Sequence, residues 1–276
     1  ALRSAPSPET LTTMSQPSVT PDDLNITNLG PCEVRSPGCD RDFAVEGGCW
    51  ITDDDRIVLN DRMSSVREAM RIDIDPPSIE LAGPRRDIYF QPGETSIAIV
   101  TCGGLCPGIN DVIRSIVMHA WHNYGVRRIH GIRYGFEGLD PSFGHKPMEL
   151  TPDAVANISS FGGSILGTSR GKREVKVMAN RLEALGVNIL FVIGGDGSQK
   201  GARAIYDEIH QRGGKISVVG VPKTIDNDIM FMDRSFGYQT AFAAAFHAVK
   251  GAHVEAQGAR GGLGLVKLMG RDSGFI

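Results

Sequence analysis

The sequence has no long apolar run, no strong charge of either sign and no paired cysteine motif. No stretch of its 276 residues approaches the roughly 20 consecutive apolar residues that cross a membrane, so we expect no membrane partner. The formal net charge is only −3 at pH 7, which gives no electrostatic reason to expect nucleic acid as a partner. Five cysteines lack the CxxC spacing of a zinc site: Cys32, Cys39, Cys49, Cys102 and Cys106. We expect reduced thiols, with metal ligation by the first three as the less favoured alternative.

Length and composition are sufficient for a sizeable core. With 276 residues, of which 41% are hydrophobic, the chain is long enough for one large domain or two smaller ones. The sequence therefore predicts a globular protein.

The first ninety residues differ in character from the rest. Residues 1–21 are rich in Ser, Thr and Pro, and we expect them to be disordered. A remnant of a targeting segment and a true start at Met14 are both alternatives, although the Arg-rich amphipathic pattern of a transit peptide is lacking. Residues 33–92 are loop-rich, with one short strand expected at 56–59. Together, residues 1–90 are interpreted as an N-terminal extension.

From Ser96 onward, apolar strands alternate with glycine-containing loops and segments of helical periodicity. The predicted strands are 96–100, 128–133, 188–193, 215–221 and 263–268, and the predicted helices are 110–123, 177–185 and 202–210. Near-continuous apolar strands that alternate with helices predict an α/β fold with a parallel sheet covered on both faces. In such sheets the functional loops gather at the carboxyl ends of the strands.

The run 192–201 has the strongest functional pattern, because an apolar strand there leads through Gly194, Gly195 and Gly197 into a helix. Glycines allow close backbone approach, and the N–H groups at a helix start favour an anion such as phosphate. Asp196 would hold Mg²⁺ rather than phosphate, since a hard cation prefers oxygen ligands. An ordinary strand-to-helix turn is the alternative.

Two further loops are polar and follow apolar strands. Gly103-Gly104 precedes a helix and offers backbone donors to phosphate oxygens, although a tight turn is the alternative reading. The loop 222–228 holds two carboxylates, a hydroxyl and an ammonium, so one carboxylate can take a proton while the other orients the water shell of a metal. Its alternative is a pair of Asx turns and a helix cap. After the fifth predicted strand, Arg271 is a candidate for stabilising charge on a transferring phosphoryl group.

Four motifs in this order and spacing resemble the phosphofructokinase family. They are Gly103-Gly104 with Pro107-Gly108 and Asn110, then GGDGS at 194–198, PKTIDND at 222–228 and MGRDSGF at 269–275. The resemblance runs from about Leu81 to the end. The sequence at 81–84 and from 126 onward is most similar to the plant and trypanosomatid ATP-dependent branch. It implies a Rossmann-like three-layer fold of two similar domains with the active site in the cleft between them. Residues 91–236 would form the nucleotide-binding domain and 237–276 the start of a sugar-phosphate domain.

The implied reaction transfers a phosphoryl group to the 1-hydroxyl of fructose 6-phosphate. Asp226 is similar to the catalytic base of the family, Thr224 to its neighbour that contacts the transferred phosphate, and Asp228 to a supporting carboxylate. Arg271 would help to neutralise the transition state, and it joins Met269 and Gly270 in the segment that binds the sugar. Catalysis would then rest on positioning and electrostatics, with a carboxylate accepting the alcohol proton.

The resemblance also implies the nucleotide site, with ATP and Mg²⁺ as its ligands. Asp196 matches the magnesium-binding aspartate of the family. Gly104 matches a backbone donor to the nucleotide phosphates, Arg170 matches a phosphate-contacting arginine, and the residues expected to line the site are Gly195, Gly197 and Ser198.

Two positions bear on whether the donor is ATP or pyrophosphate. Gly197 favours ATP, because members of the family that use pyrophosphate typically have an aspartate there. Lys223 favours pyrophosphate, although plant-like ATP-dependent members also combine glycine with lysine. The surrounding resemblance favours ATP, with a pyrophosphate-dependent enzyme as the alternative.

The sequence departs from the family pattern in two respects. Gly262 stands where short bacterial members have an arginine that reaches across a subunit interface, and the sequence stops at Ile276 whereas the family continues through the sugar domain. We therefore expect a longer natural product and poor activity of this chain alone, and a noncatalytic nucleotide-binding or regulatory fragment is a further alternative. The resemblance implies a homotetramer at full length and a cytoplasmic location, with an organelle as the alternative because of residues 1–21.

Overall fold

The structure is a computed structural model that describes residues 24–40, 50–72, 74–270 and 274. Internal contacts divide these residues into two units. The first unit comprises residues 24–28 and 50–83, and the second comprises residues 29–40, 84–270 and 274. The expected disorder of residues 1–21 and the proposed start at Met14 lie outside the described residues.

The described residues contain nine strands and six α-helices. In chain order they are β1 (Val34–Arg35), β2 (Arg56–Val58), α1 (Met63–Arg71), β3 (Ser78–Glu80), β4 (Asp87–Ile88), β5 (Ser96–Thr101), α2 (Ile109–Asn123), β6 (Arg128–Ile132), β7 (Met148–Glu149), α3 (Pro152–Val155), α4 (Val175–Ala184), β8 (Ile189–Gly194), α5 (Asp196–Gln211), β9 (Ser217–Pro222) and α6 (Tyr238–Gly258).

The first unit is built on a short antiparallel pair. Strand β2 pairs with β3, with Ile57 opposite Ile79, and this confirms the short strand expected at 56–59. Helix α1 lies between the two strands in a stretch that was expected to be loop. Its N-cap, Arg62, makes no side-chain capping hydrogen bond and the helix buries none of its residues, so the usual sequence signals of a helix are weak.

The second unit contains a five-stranded sheet in the order β7-β6-β5-β8-β9. The neighbours β6, β5, β8 and β9 run parallel, as predicted, whereas the edge strand β7 pairs antiparallel with β6. Strand β7 was not predicted, because a two-residue strand leaves no apolar run in the sequence. Within this unit β1 also pairs antiparallel with β4.

Helices cover both faces of this sheet. All six residues of β5 are buried; Ala98 and Val100 pack with α4 and α5 on one face, and Ile97 and Ile99 pack with α2 on the other. This arrangement confirms the predicted Rossmann-like three-layer α/β class. The described residues contain no helix that combines enough length with enough apolar character to cross a membrane.

Helix α5 begins six residues earlier than predicted. It starts at Asp196, with Gly195 as an extended N-cap residue, rather than at 202. The first turn includes Gly197, whose weak helix propensity favoured a turn in the sequence interpretation. The acidic residue therefore lies within the helix, at its N-terminal end.

The fifth predicted strand, at 263–268, is wrong. Helix α6 ends at Gly258, and the described residues after it, 259–270, form neither strand nor helix. Leu263 and Leu265 are 97% and 96% exposed. A strand needs a neighbour for its backbone groups, and in the part of the chain that the structure describes no strand pairs with this segment. The domain limits expected at residues 90 and 236 remain a prediction.

Candidate active site

Three of the predicted loops start at one edge of the sheet. Thr101 at the end of β5 is aligned with Ile193 of β8, and Gly194 at the end of β8 is aligned with Pro222 of β9. The loops that follow these three parallel strands therefore begin side by side. This is the edge at which α/β sheets usually bind ligands.

The glycine loop after β5, residues 102–108, is tied to two neighbouring segments. The Lys223 Nζ atom donates to the Gly104 carbonyl oxygen at 2.5 Å, and the Thr168 hydroxyl donates to the Gly103 carbonyl oxygen at 2.5 Å. Gly103 N donates in turn to the Ser169 carbonyl oxygen at 3.2 Å. Gly103 has φ +81°, a left-handed conformation that side chains other than glycine rarely adopt.

A small space beside this loop is bordered by donor groups. A Cβ atom placed on Gly104 would lie 3.5 Å from Arg170 Nη2, and one placed on Gly103 would lie 3.9 Å from Ser198 Oγ and 4.0 Å from Lys223 Nζ. The absence of side chains at both glycines thus leaves room next to a guanidinium, an ammonium and a hydroxyl. Such a set of donors suits an anion.

Lys223 is a buried cation in this cradle. Lys223 is only 6% exposed. Burial lowers the pKa of Lys223, while Cys106 and Cys102 oppose that shift and the charge of Arg170 adds to it. An anionic ligand would compensate the two positive charges and favour the protonated lysine.

The start of α5 supplies the acidic group. Asp196 is the exposed first residue of the helix, whereas Ser198 is 9% exposed and its N–H donates to the Gly195 carbonyl oxygen at 2.8 Å. Gly195 also approaches the loop after β9, since a Cβ atom there would lie 3.3 Å from the Lys223 carbonyl oxygen. The acidic turn and the loop 222–228 are therefore in direct proximity.

Gln199 is a residue of this site that the sequence interpretation missed. Its Nε2 atom lies 2.9 Å from the Gly194 carbonyl oxygen, 3.2 Å from that of Val221 and 3.3 Å from that of Val192. One amide thus connects the ends of β8 and β9 at the point where both loops begin. A glutamine one turn into a helix has no recognisable motif, so the sequence offers no signal for this role.

The loop 223–228 is held by its own polar groups. The Thr224 hydroxyl donates to Asp228 Oδ1 at 2.8 Å and accepts a hydrogen bond from the Asp226 N–H at 3.0 Å. Both Thr224 and Asp226 are 8% exposed. The carboxylate of Asp226 faces the Met-Gly segment near the end of the chain, because a Cβ atom on Gly270 would lie 3.4 Å from Asp226 Oδ1.

The family described as Phosphofructokinase matches residues 96–276, which is well over half of the chain. The chain belongs to the phosphofructokinase family. The resemblance stated from its motifs is confirmed.

Several curated relatives are named ATP-dependent 6-phosphofructokinase. The protein from Borreliella burgdorferi is 48% identical over 255 residues, which is 92% of this chain and 56% of the relative. The protein from Trypanosoma cruzi is 44% identical over 260 residues, which is 94% of this chain and 53% of the relative. A chloroplastic relative from Arabidopsis thaliana is 51% identical over 72% of this chain and 36% of its own length. The chain thus spans about half the length of the first two of these phosphofructokinases.

Solved structures agree on the fold. Phosphofructokinase from Saccharomyces cerevisiae has a TM-score of 0.51 and 28% identity, covering 59% of this chain and 24% of that chain. A pyrophosphate-dependent phosphofructokinase from Marinobacter aquaeolei has a TM-score of 0.53, but its 23% identity, over 59% of this chain and 42% of that chain, supports the fold alone.

The structure brings most of the predicted phosphofructokinase site residues into two groups. The first surrounds the anion cradle and contains Gly104, Arg170, Ser198 and Lys223, with Gly195 and Asp196 next to it. The second is centred on Asp226: Thr224 links the Asp226 backbone to Asp228, and Gly270 lies next to the Asp226 carboxylate. A Cβ atom on Gly197 would meet nothing within 4 Å, Met269 is 72% exposed, and Arg271 lies outside the described residues.

The residues present fit a magnesium ion that is bound together with phosphate. Mg²⁺ is usually held by one or two carboxylates plus substrate phosphate oxygens and water, rather than by an all-protein cage. Asp196 offers an exposed carboxylate close to the cradle. No group of three or more His, Cys, Asp or Glu side chains that could hold a metal occurs among the described residues.

Proposed function

We propose that this chain is the nucleotide-binding part of an ATP-dependent 6-phosphofructokinase. The reaction would transfer the γ-phosphoryl group of ATP to the 1-hydroxyl of fructose 6-phosphate, giving fructose 1,6-bisphosphate and ADP. One observation carries the proposal. The backbone N–H of Asp226 is held by the Thr224 hydroxyl at the same sheet edge as an anion cradle built from Lys223, Arg170 and the glycine loop, in a chain of the phosphofructokinase family.

The cradle would bind the phosphates of the donor. Lys223 and Arg170 supply two positive charges, Ser198 supplies a hydroxyl and the start of α5 supplies backbone N–H groups. Because catalysis of phosphoryl transfer rests mainly on positioning and electrostatics, these fixed groups would align the γ-phosphoryl group and neutralise its charge.

Asp226 would act as the general base. The 1-hydroxyl oxygen of the sugar forms the new bond to the γ-phosphorus, the bond from that phosphorus to the bridging oxygen of ADP breaks, and the hydroxyl proton passes to a carboxylate oxygen of Asp226. Thr224 fixes the backbone of Asp226 through its hydroxyl and would itself contact the transferred phosphate. The sugar would be bound by Met269, Gly270 and Arg271, of which Gly270 borders Asp226.

Asp196 would hold a magnesium ion, with Asp228 supporting its water shell. When bound, the ion supplies positive charge that offsets the negative charge of the β- and γ-phosphates. Asp228 is oriented for this task because its Oδ1 accepts the Thr224 hydroxyl at 2.8 Å. The same threonine thus contacts both acidic residues of the loop, because its hydroxyl donates to the Asp228 carboxylate and accepts the backbone N–H of Asp226.

ATP is the favoured donor for two reasons. Gly197 leaves open space at the start of α5, and the relatives at 44–48% identity from Borreliella burgdorferi and Trypanosoma cruzi are named as ATP-dependent. Lys223 supports pyrophosphate as the alternative donor. A noncatalytic nucleotide-binding fragment is the other alternative, although the ordered Thr224, Asp226 and Asp228 cluster favours an enzyme.

The assembly and location are proposed on the family pattern. We propose a homotetramer for the natural full-length product and a cytoplasmic location, with an organelle as the alternative because one relative is named chloroplastic. Size-exclusion chromatography with light scattering would test the tetramer.

The proposed activity can be tested on the natural full-length product with fructose 6-phosphate and Mg²⁺, with ATP and pyrophosphate compared side by side. We expect turnover with ATP and a loss of roughly a hundredfold or more in kcat for Asp226→Asn, which keeps the shape of the side chain but removes the base. Turnover with pyrophosphate alone would reassign the donor. ATP binding without turnover of the sugar phosphate would favour the noncatalytic alternative.

A further inference from the structure

We propose that residues 235–237 form a clamp that positions the catalytic loop and couples it to the phosphate-binding glycine loop, with Ser235 as the positioning residue. None of these three residues belongs to the predicted site. The kinetic part of this inference rests on the proposed function, whereas the coupling between the two loops does not. Three sets of contacts support it.

The first set joins Ser235 to the catalytic loop. Ser235 is 3% exposed, and its hydroxyl donates to the Thr224 carbonyl oxygen at 2.6 Å. Thr224 is thereby held on its carbonyl by Ser235, while its own hydroxyl accepts the Asp226 N–H and donates to Asp228. A shift of Ser235 would therefore move the residue that holds the Asp228 carboxylate and the Asp226 backbone.

The second set stabilises an unusual backbone conformation beside Asp226. Asn227 has φ +52°, in the left-handed region, which asparagine enters more readily than most other residues that carry a side chain. Its side-chain amide spans the turn, because Nδ2 donates to the Asp233 carbonyl oxygen at 3.0 Å and Oδ1 accepts the Ser235 N–H at 2.7 Å. Strained conformations persist where the surrounding contacts over-determine them. Ser235 thus makes one of the contacts that keep the catalytic loop in this conformation.

The third set joins the clamp to the glycine loop, 102–108. The Cys106 thiol donates to the Phe236 carbonyl oxygen at 3.2 Å. Gly237 has φ +79°, and a Cβ atom on it would lie 2.2 Å from the Pro107 carbonyl oxygen and 2.4 Å from Cys106 Sγ. The two backbones approach closely enough that only glycine fits. Movement of the glycine loop would therefore be transmitted to the clamp.

These contacts form a continuous route from the phosphate cradle to the base. Phosphate bound at Gly103 and Gly104 would restrain the glycine loop, the loop would restrain residues 236–237, and Ser235 would restrain Thr224 and Asp226. Misplacing a reacting group by about 1 Å costs roughly a hundredfold in rate. Loosening the clamp should therefore lower kcat much more than it changes KM.

Ser235→Ala and Ser235→Thr test this role in the natural full-length product. We expect Ser235→Ala to lower kcat about tenfold to a hundredfold while the KM values for ATP and fructose 6-phosphate stay within about threefold. Ser235→Thr keeps the hydroxyl and should recover most of the rate. Ser142→Ala is the matched control, since it also removes a serine hydroxyl that makes a hydrogen bond. That bond, from Ser142 to Asp140, is exposed to solvent, and its loss should leave kcat unchanged.

Hydrogen–deuterium exchange tests the coupling without any assay of activity. In Ser235→Ala, amides of 224–228 should exchange faster, and Cys106→Ala should accelerate exchange in both 235–237 and 224–228. Unchanged exchange at 224–228 in both variants would overturn the proposal. Changes in kcat and KM that simply follow the fall in melting temperature would also overturn it. A wild-type protein that phosphorylates no sugar would refute the proposed function alone, since the exchange measurement would still decide the clamp.

Discussion

At the scale of single residues, Gly197 borders open space next to a charged site. A Cβ atom placed there meets nothing within 4 Å, so the fold accepts a side chain at this position. We expect Gly197→Asp to lower kcat/KM for ATP by roughly tenfold to a hundredfold, because a second carboxylate beside Asp196 would repel and crowd the donor phosphates. Steady-state kinetics with ATP would measure this change.

Gly197→Ser is the control for that substitution, because it adds a side chain without charge. A similar loss in both variants would indicate crowding rather than repulsion. ATP turnover that stays unchanged in Gly197→Asp would contradict the assignment of this residue to donor selection.

Two cysteine thiols of the glycine loop, Cys102 and Cys106, are buried. Burial raises the pKa of Cys102 to about 12 and that of Cys106 to about 11, whereas Cys32 is exposed. Because the thiolate is the nucleophile, a raised pKa lowers the reactive fraction at neutral pH. We expect iodoacetamide at pH 8 to modify Cys32 well before Cys102 or Cys106, as measured by peptide mass spectrometry. Equal rates at all three sites would show that the glycine loop opens readily.

At the scale of secondary-structure elements, Gln199 connects β8 with β9. Its amide nitrogen lies within hydrogen-bond distance of the carbonyl oxygens of Val192, Gly194 and Val221. We expect Gln199→Glu, which keeps the shape but removes the donor, to lower the free energy of unfolding by about 1–3 kcal/mol. Urea unfolding would measure it.

A matched control for Gln199→Glu is Lys200→Glu, which introduces a carboxylate at the next, exposed position of the same helix. This control should stay within about 0.5 kcal/mol of the wild type. Equal losses in the two variants would mean that the added charge, rather than the missing donor, weakens the sheet edge.

At the scale of the whole molecule, α6 presents apolar side chains to solvent. None of its 21 residues is buried, and Phe242 and Phe246, one turn apart, are 41% and 62% exposed. Exposed apolar patches promote association. We expect the 276-residue chain to self-associate as its concentration rises, and the double change Phe242→Ser with Phe246→Ser to reduce light scattering.

Gln239→Ser on the same helix is the control for α6, since it changes an exposed residue without removing apolar surface. It should leave light scattering unchanged. A wild-type chain that stays monomeric over a wide concentration range would contradict the role given to α6.

Much of the fold could be predicted because its signals are local. The four parallel strands were placed to within about two residues, since buried strands such as β5 are continuous apolar runs in the sequence. The wrong prediction of a strand at 263–268 has a different cause. That segment is apolar enough for a strand, but strand formation also requires a neighbour, and the periodicity of one segment holds no information about its partner.

The chemistry of the site and its geometry have different origins. The sequence shows directly which glycines, carboxylates and lysines lie in loops that follow strands. The positions of such loops and of helix starts are set by residues that are near neighbours along the chain. The meeting of those groups depends on contacts across the fold: Lys223 reaches Gly104 over 119 positions, and Cys106 reaches Phe236 over 130. Ser235 and Gln199 have no motif, and they enter the site through the packing of distant segments. Alternating strands and helices and the candidate side chains can thus be read along the chain, whereas the pairing of the loops follows from chain packing in three dimensions.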